Sequence, residues 1–257
     1  MWPYPKIIAH RGAGILAPEN TLAAMREATR RGYRGVEFDV MLAQDAVPVL
    51  MHDATFGRTI AGPGSVATCT AAQLQAMDAG GWHSAQFQGE PVALLEDVAR
   101  YCRAESLWMN VELKPSPGTD IETGAEVARC LASLFDMRDA TPGATPALTQ
   151  AQLPLLSSFS TAALLAARDA APALPRALLV ERLPPDWQVL CQQLGVVAVH
   201  LNQLHVRQAE LAQLHAAGLG AFCYTINDAA RARLLLEWGI DGFCTDRLDL
   251  IGPDFGA

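Results

Sequence analysis

Long apolar runs are missing: nothing in the 257 residues is uninterruptedly apolar for the length a bilayer-spanning helix needs. The first residues, MWPYPKIIAHRG, lack a basic stretch followed by an apolar one of signal-peptide length, so a cytoplasmic protein without stable membrane association is expected. Closely paired cysteines are missing too. The six, at 69, 102, 130, 191, 223 and 244, form no CxxC and sit mostly in apolar helix or strand patterns, which excludes a disulfide framework or structural zinc and suits reduced, buried thiols. Positive charge is in deficit as well, 19 Lys and Arg against 27 Asp and Glu. A net charge of −8 leaves no general basic surface, so no nucleic-acid partner is expected.

What is present is a globular composition, 51% hydrophobic and 18% charged, in a chain long enough for one large α/β core. The recurring unit is a short apolar strand, a helix-period stretch, then a glycine that ends the helix; Gly32, Gly195, Gly218 and Gly239 fit that last place. IIAH (7–10), GVEFDV (35–40) and WMNVEL (108–113), followed by LLSSF, RALLV, VAVHL, AFCYT and GFCT, make eight strands, the later ones at roughly βα-unit spacing. Eight such units predict a (β/α)8 TIM barrel in a single domain over residues 1–257. Asn20 is expected to cap a helix carrying Leu22, Met25 and Ala28 on one face, and Thr70 with Gln73 reads as a capping box ahead of Leu74 and Met77. Two segments break the rhythm. Residues 53–91, after a His-Asp pair, are expected to form a small insertion over the barrel mouth, and 139–154 a surface loop.

Polar residues gather at the carboxyl ends of the apolar strands, the face on which parallel barrels build active sites. His10-Arg11-Gly12 follows the first strand and leads through Pro18-Glu19-Asn20-Thr21 into a helix; a histidine can move protons and an arginine can grip a phosphate. In Glu37-Phe38-Asp39 the period of two places both carboxylates on one face. Such a pair, buried, costs several kcal/mol unless a cation neutralises it, and its oxygens suit Mg2+, Ca2+ or Mn2+. His52-Asp53 arrives too soon after Asp39 for a helical crossover, so a hairpin must intervene. A turn centred on Gln44-Asp45 sets 52 opposite 37 and 50 opposite 39, which brings His52 directly to Glu37. Asn110, Glu112 and Lys114 alternate with apolar residues and add a third carboxylate and a second cation on one face. Each motif alone reads equally well as a solvated edge or a satisfied histidine. A barrel strand under helices should be apolar on both faces, however, and three carboxylates with a lysine on the inner one point to a site. Ser158-Phe159, His200, Tyr224 to Asn227 and Thr245-Asp246 are weaker candidates; His200 reads as a core histidine and Asn227 or Asp228 as a helix cap.

Taken together, HRG, PENT, ExD, HD, NxExK, SF, YTIN and TD resemble the glycerophosphodiester phosphodiesterase family, in particular its short cytosolic bacterial members, from about residue 6 to 251. The resemblance implies hydrolysis of glycerophosphocholine, glycerophosphoethanolamine and similar small molecules to sn-glycerol 3-phosphate and an alcohol, with one divalent cation, Mg2+ or Ca2+, Mn2+ being the alternative. Glu37, Asp39 and Glu112 match the metal ligands, His10 and His52 the general base and acid, and Arg11 and Lys114 the groups that hold the phosphate. The nucleophile they would serve is water or the substrate's own glycerol 2-hydroxyl. Ala46 stands where the hairpin turn more often has glycine, Tyr224 where a tryptophan is common, and Val92-Ala93-Leu94 where Pro-Thr-Leu is usual. A phospholipase-like lyase would want secretion and exposed apolar loops, and a non-catalytic phosphodiester binder would be expected to have lost one of these histidines or carboxylates; neither fits this sequence.

Overall fold

The computed structural model describes residues 2–136 and 148–256. The chain runs β1 (Ile7–Ala9), α1 (Leu22–Arg30), β2 (Gly35–Leu42), β3 (Pro48–Leu50), α2 (Ala71–Gln75), α3 (Leu95–Ala104), β4 (Trp108–Leu113), α4 (Asp120–Leu134), β5 (Leu155–Ser158), α5 (Thr161–Ala170), β6 (Arg176–Val180), α6 (Trp187–Leu194), β7 (Ala198–Asn202), α7 (Gln208–Ala216), β8 (Gly220–Tyr224), α8 (Ala229–Glu237) and β9 (Gly242–Thr245). Eight strands pair in parallel in the order β1-β9-β8-β7-β6-β5-β4-β2, and β1 also pairs with β2, which closes a (β/α)8 barrel. These are the eight strands expected from the sequence. Strand β3 is extra, running antiparallel along the outer end of β2.

Period-two alternation divides the barrel interior by height. Near the amino ends of the strands Ile8, Trp108, Leu155, Ala177, Ala198, Phe222 and Cys244 fill the lumen as one apolar cluster. Two aromatic residues from the amino-terminal segment close it from below: Tyr4 stacks on Trp108 at 4.5 Å between ring centroids and Trp2 on Phe222 at 5.7 Å. One inward step further up, the same strands present His10, Asn110, Tyr224 and Asp246. The helices bury their apolar faces on the outside of the barrel in a separate, larger cluster that includes Val36, Phe38 and Val111. Gly195, in the left-handed region at φ +61°, ends α6 as expected.

Two local expectations are corrected. Asn20 does not cap α1: the cap is Thr21, whose extended backbone lets its Oγ1 accept from the Ala24 amide at 3.2 Å, while Asn20 sits at φ +58° and turns elsewhere. The β2–β3 hairpin pairs Val40 with Leu50 and Leu42 with Pro48, one residue away from the register expected. The cause is the turn. Ala46 occupies the left-handed region at φ +59°, the Ala46 amide reaches the Ala43 carbonyl at 3.0 Å, and the Ala43 amide bonds the Val47 carbonyl at 3.0 Å. A three-residue loop of this kind shifts the pairing by one, and one residue of register exchanges the faces of the strand.

Within residues 53–91, Ile60, Val66 and Leu74 pack with Met41, Val49 and Met51 into a small core of their own. The capping box is present, Thr70 N donating to Gln73 Oε1 at 2.8 Å and Gln73 N to Thr70 Oγ1 at 3.3 Å. Glu90 Oε1 accepts from the Ala23 amide at 2.9 Å and His83 Nε2 lies 3.0 Å from the Ile15 carbonyl, tying this segment to the stretch that leaves β1 at the mouth. Of the expected loop 139–154, residues 139–147 lie outside the described residues; Gln150–Gln152 form an exposed turn.

Candidate active site

The parallel register of β2 and β4 sets Glu37 beside Asn110 and Asp39 beside Glu112, so the alternation of two neighbouring strands converges on one patch of the inner wall. Glu37, Asp39 and Glu112 each offer a carboxylate oxygen, all within 4.8 Å of one another. They are almost entirely buried, at 5%, 1% and 9% exposure, in a cavity of about 230 Å3 at the carboxyl ends of the strands. Burial, and then the charge of Asp39, push Glu37 up to about 7 and Glu112 up to about 8. Burial works the same way on Asp39, but Arg11 and Lys114 outweigh it and hold Asp39 below its ordinary value. Lys114 Nζ lies 3.4 Å from Asp39 Oδ1 and 3.3 Å from Glu112 Oε1, and Arg11 Nε 3.4 Å from Asp39 Oδ2.

A hard divalent cation fits this donor set. Glu37 Oε1 and, beside it, Asn110 Oδ1 are buried without a hydrogen-bond partner, and two of the three carboxylates are held away from ionisation first by burial and then by the charge of Asp39, both of which a bound cation would offset.

All seven residues expected from the sequence line this cavity. His10 Nε2 stands 3.7 Å from Glu37 Oε2, and its Nδ1 lies 2.6 Å from Asp246 Oδ1. Burial opposes charge on His10, but the hydrogen bond to Asp246 and the charges of Glu37 and Asp246 prevail and raise its pKa. His52 is not placed against Glu37 as expected. With the hairpin shifted, its field comes chiefly from Asp39, and its Nδ1 lies 2.6 Å from Asp53 Oδ1. Burial, aided by Arg11 and opposed by Asp39, lowers its pKa. In each imidazole one nitrogen is thus fixed by an aspartate and Nε2 is left for the cavity.

Several residues that sequence reasoning passed over complete the arrangement. Asn20 donates from Nδ2 to Asp39 Oδ2 at 2.8 Å and accepts from the Asp39 amide at 3.0 Å, which fixes the rotamer of that carboxylate. Asp246, noted only as a strand-end pair with Thr245, orients His10, and Asn227 supports it, donating from Nδ2 to Asp246 Oδ2 at 2.8 Å. The cap of α8 is Asp228. His200 is 1% exposed in the cavity floor with Nε2 unpartnered, and burial pushes its pKa down to about 3, so it is neutral. Here the expectation of a satisfied core histidine fails, because the ring lies against Phe222 instead of a polar group. Parallel pairing of β1 with β9 was the signal that would have found Asp246.

A closed barrel with buried carboxylates at its mouth, two aspartate-held imidazoles and two flanking cations defines a hydrolase class that attacks anionic esters. The chain belongs to the glycerophosphoryl diester phosphodiesterase family, whose model matches residues 10–250. YhdW of Bacillus subtilis is 30% identical over 255 residues, covering 96% of this chain and 97% of its own length. A phosphodiesterase of Oleispira antarctica, solved with the product sn-glycerol 3-phosphate, superimposes with a TM-score of 0.84 at 32% identity over 94% of this chain and 93% of that one. A glycerophosphodiester phosphodiesterase of Agrobacterium tumefaciens matches with a TM-score of 0.75 at 26% identity, covering 96% and 98%.

Proposed function

We propose that this protein hydrolyses glycerophosphodiesters to sn-glycerol 3-phosphate and an alcohol, by general acid/base catalysis between His10 and His52. The observation that carries the reading is the pair of imidazoles, each with Nδ1 at 2.6 Å from an aspartate, lining the same cavity as three clustered carboxylates. Glu37, Asp39 and Glu112 would hold one divalent cation, Mg2+ or Ca2+, which supplies Lewis-acid neutralisation of phosphoryl charge when bound. Arg11 and Lys114 hold the phosphate oxygens electrostatically. His10 Nε2, beside Glu37, takes the proton of the attacking nucleophile, either water or the substrate's glycerol 2-hydroxyl with water then opening the cyclic phosphate, and His52 returns one to the leaving alcohol.

The substrate is a small molecule taken from solution, and a cytosolic site of action accords with six cysteines that form no disulfide among the described residues. Among the described residues no helix is long and apolar enough to cross a membrane. Residues 53–91 are assigned to an insertion subregion of one barrel domain on the strength of their separate small core.

The test is sn-glycerol 3-phosphate release from glycerophosphocholine and glycerophosphoethanolamine in Mg2+, Ca2+, Mn2+ or EDTA. Release should require a divalent cation and fall about 10²-fold or more in His10→Ala, His52→Ala and Glu112→Ala. Undiminished release in EDTA, or by Glu112→Ala, would contradict the assignment.

A further inference from the structure

The guanidinium of Arg58, in the segment after the His-Asp pair, uses all three of its nitrogens on two carboxylates. Nη1 donates to Glu19 Oε2 at 2.6 Å, Nη2 to Glu19 Oε1 at 2.7 Å and Nε to Asp53 Oδ2 at 2.6 Å. Each carboxylate passes its remaining capacity inward. Glu19 Oε1 also accepts from Arg11 Nη1 at 2.8 Å, and Asp53 Oδ1 holds His52 Nδ1 at 2.6 Å. A continuous chain therefore runs from Arg11 through Glu19, Arg58 and Asp53 to His52, joining segments 8 and 39 residues apart in sequence.

Exposed ion pairs contribute little to stability, and the Arg58 side chain is 44% exposed. A bidentate fork that closes a network differs in kind, because it fixes geometry. Without Arg58, Glu19 would be free to draw Arg11 away from Asp39, from which Arg11 Nε is 3.4 Å distant. Asp53, released at Oδ2, would no longer fix the plane of the His52 ring.

We propose that Arg58 is a positioning residue that sets Arg11 and His52 together, so that the phosphate grip and the proton donor are aligned by one side chain borne on the 53–91 segment. The inference rests on the roles proposed for Arg11 and His52.

The experiment is steady-state hydrolysis of glycerophosphocholine by wild type, Arg58→Ala, Arg58→Lys, Glu19→Ala, Asp53→Ala and the Arg58→Ala/Asp53→Ala double variant, each checked for folding by its thermal midpoint. Arg58→Ala should stay folded and lose about 10–100-fold in kcat/KM, as supporting partners of site residues typically do. KM and kcat should both move, with Glu19→Ala reproducing the KM part and Asp53→Ala the kcat part. The double variant should match the worse single variant in kcat, because both act through His52. Arg58→Lys should remain well below wild type, since one ammonium cannot span both carboxylates. Folded Arg58→Ala within about twofold of wild type in both constants, full recovery by lysine, or additive effects in the double variant would each overturn the proposal. Loss of activity in Arg11→Ala and His52→Ala with Arg58→Ala intact would sink this inference alone; an inactive wild type would sink it together with the proposed function.

Discussion

The two ends of the barrel lumen are built from the same strands yet obey opposite rules. At the amino end Ile8, Trp108, Phe222 and Cys244 are close-packed and apolar, with Trp2 and Tyr4 stacked beneath them. Two residues higher on those strands stand His10, Asn110, Tyr224 and Asp246, and on β2 the carboxylates of Glu37 and Asp39. The lower end gains free energy by removing apolar surface from water, whereas the upper end spends it by burying like charges. Stability and chemistry are thus separated by a single inward step along each strand.

The difference can be broken most severely from below. Trp108→Ala removes a 7%-exposed indole that stacks on Tyr4 and donates to the Leu153 carbonyl at 3.0 Å, and should cost about 3–5 kcal/mol in urea unfolding. The kcat of the fraction that stays folded should be unchanged. A kcat loss at full folding would show that the two ends are not separable.

From above the sign reverses. Glu37 and Glu112 have folded-state pKa values of about 7 and 8 against an ordinary 4.5, so the folded protein binds more protons than the unfolded chain between these limits. Stability is fully present below about 4.5 and is lost as pH rises through 7 to 8. In EDTA the thermal midpoint should therefore decline from pH 5 to 8, and saturating Mg2+ or Ca2+ should restore it. Glu112→Gln should flatten that decline and raise apo stability at pH 8 by on the order of 2 kcal/mol while abolishing cation-dependent turnover. A midpoint in EDTA that rises over the same range would reverse the argument.

The smallest effect belongs to neither end. Ala46→Gly relieves the left-handed residue at φ +59° in the β2–β3 turn and should add roughly 0.5–1 kcal/mol after the greater entropy of glycine in the unfolded chain is set against it, with activity unchanged. Calorimetry showing a loss would mean that the alanine is not strained there.

What could be read from the sequence divides along a similar line. Alternation is local, and it sufficed to put Glu37 with Asp39 and Asn110 with Glu112 and Lys114 on inward faces, and to number the strands of the barrel. The hairpin slipped by one because the turn type depends on a backbone angle at Ala46 that alanine does not advertise. Asp246 went unassigned since its partner, His10, lies 236 residues away and only barrel closure brings them together. Asn20 looked like a cap because asparagine often is one; tertiary contact with Asp39 claimed its side chain instead. His200 read as a core histidine because its strand, AVHLN, offers only Asn202 as a second polar residue and no carboxylate.

The contact between His10 and Asp246 joins strands at opposite ends of the synthesis order. All three residues of the carboxylate cluster have been synthesised by residue 112, long before Asp246, which bonds the first histidine, has been added. A chain ended before the last strand therefore carries all three carboxylate residues but lacks both the aspartate that bonds His10 and the β1–β9 pairing that closes the ring.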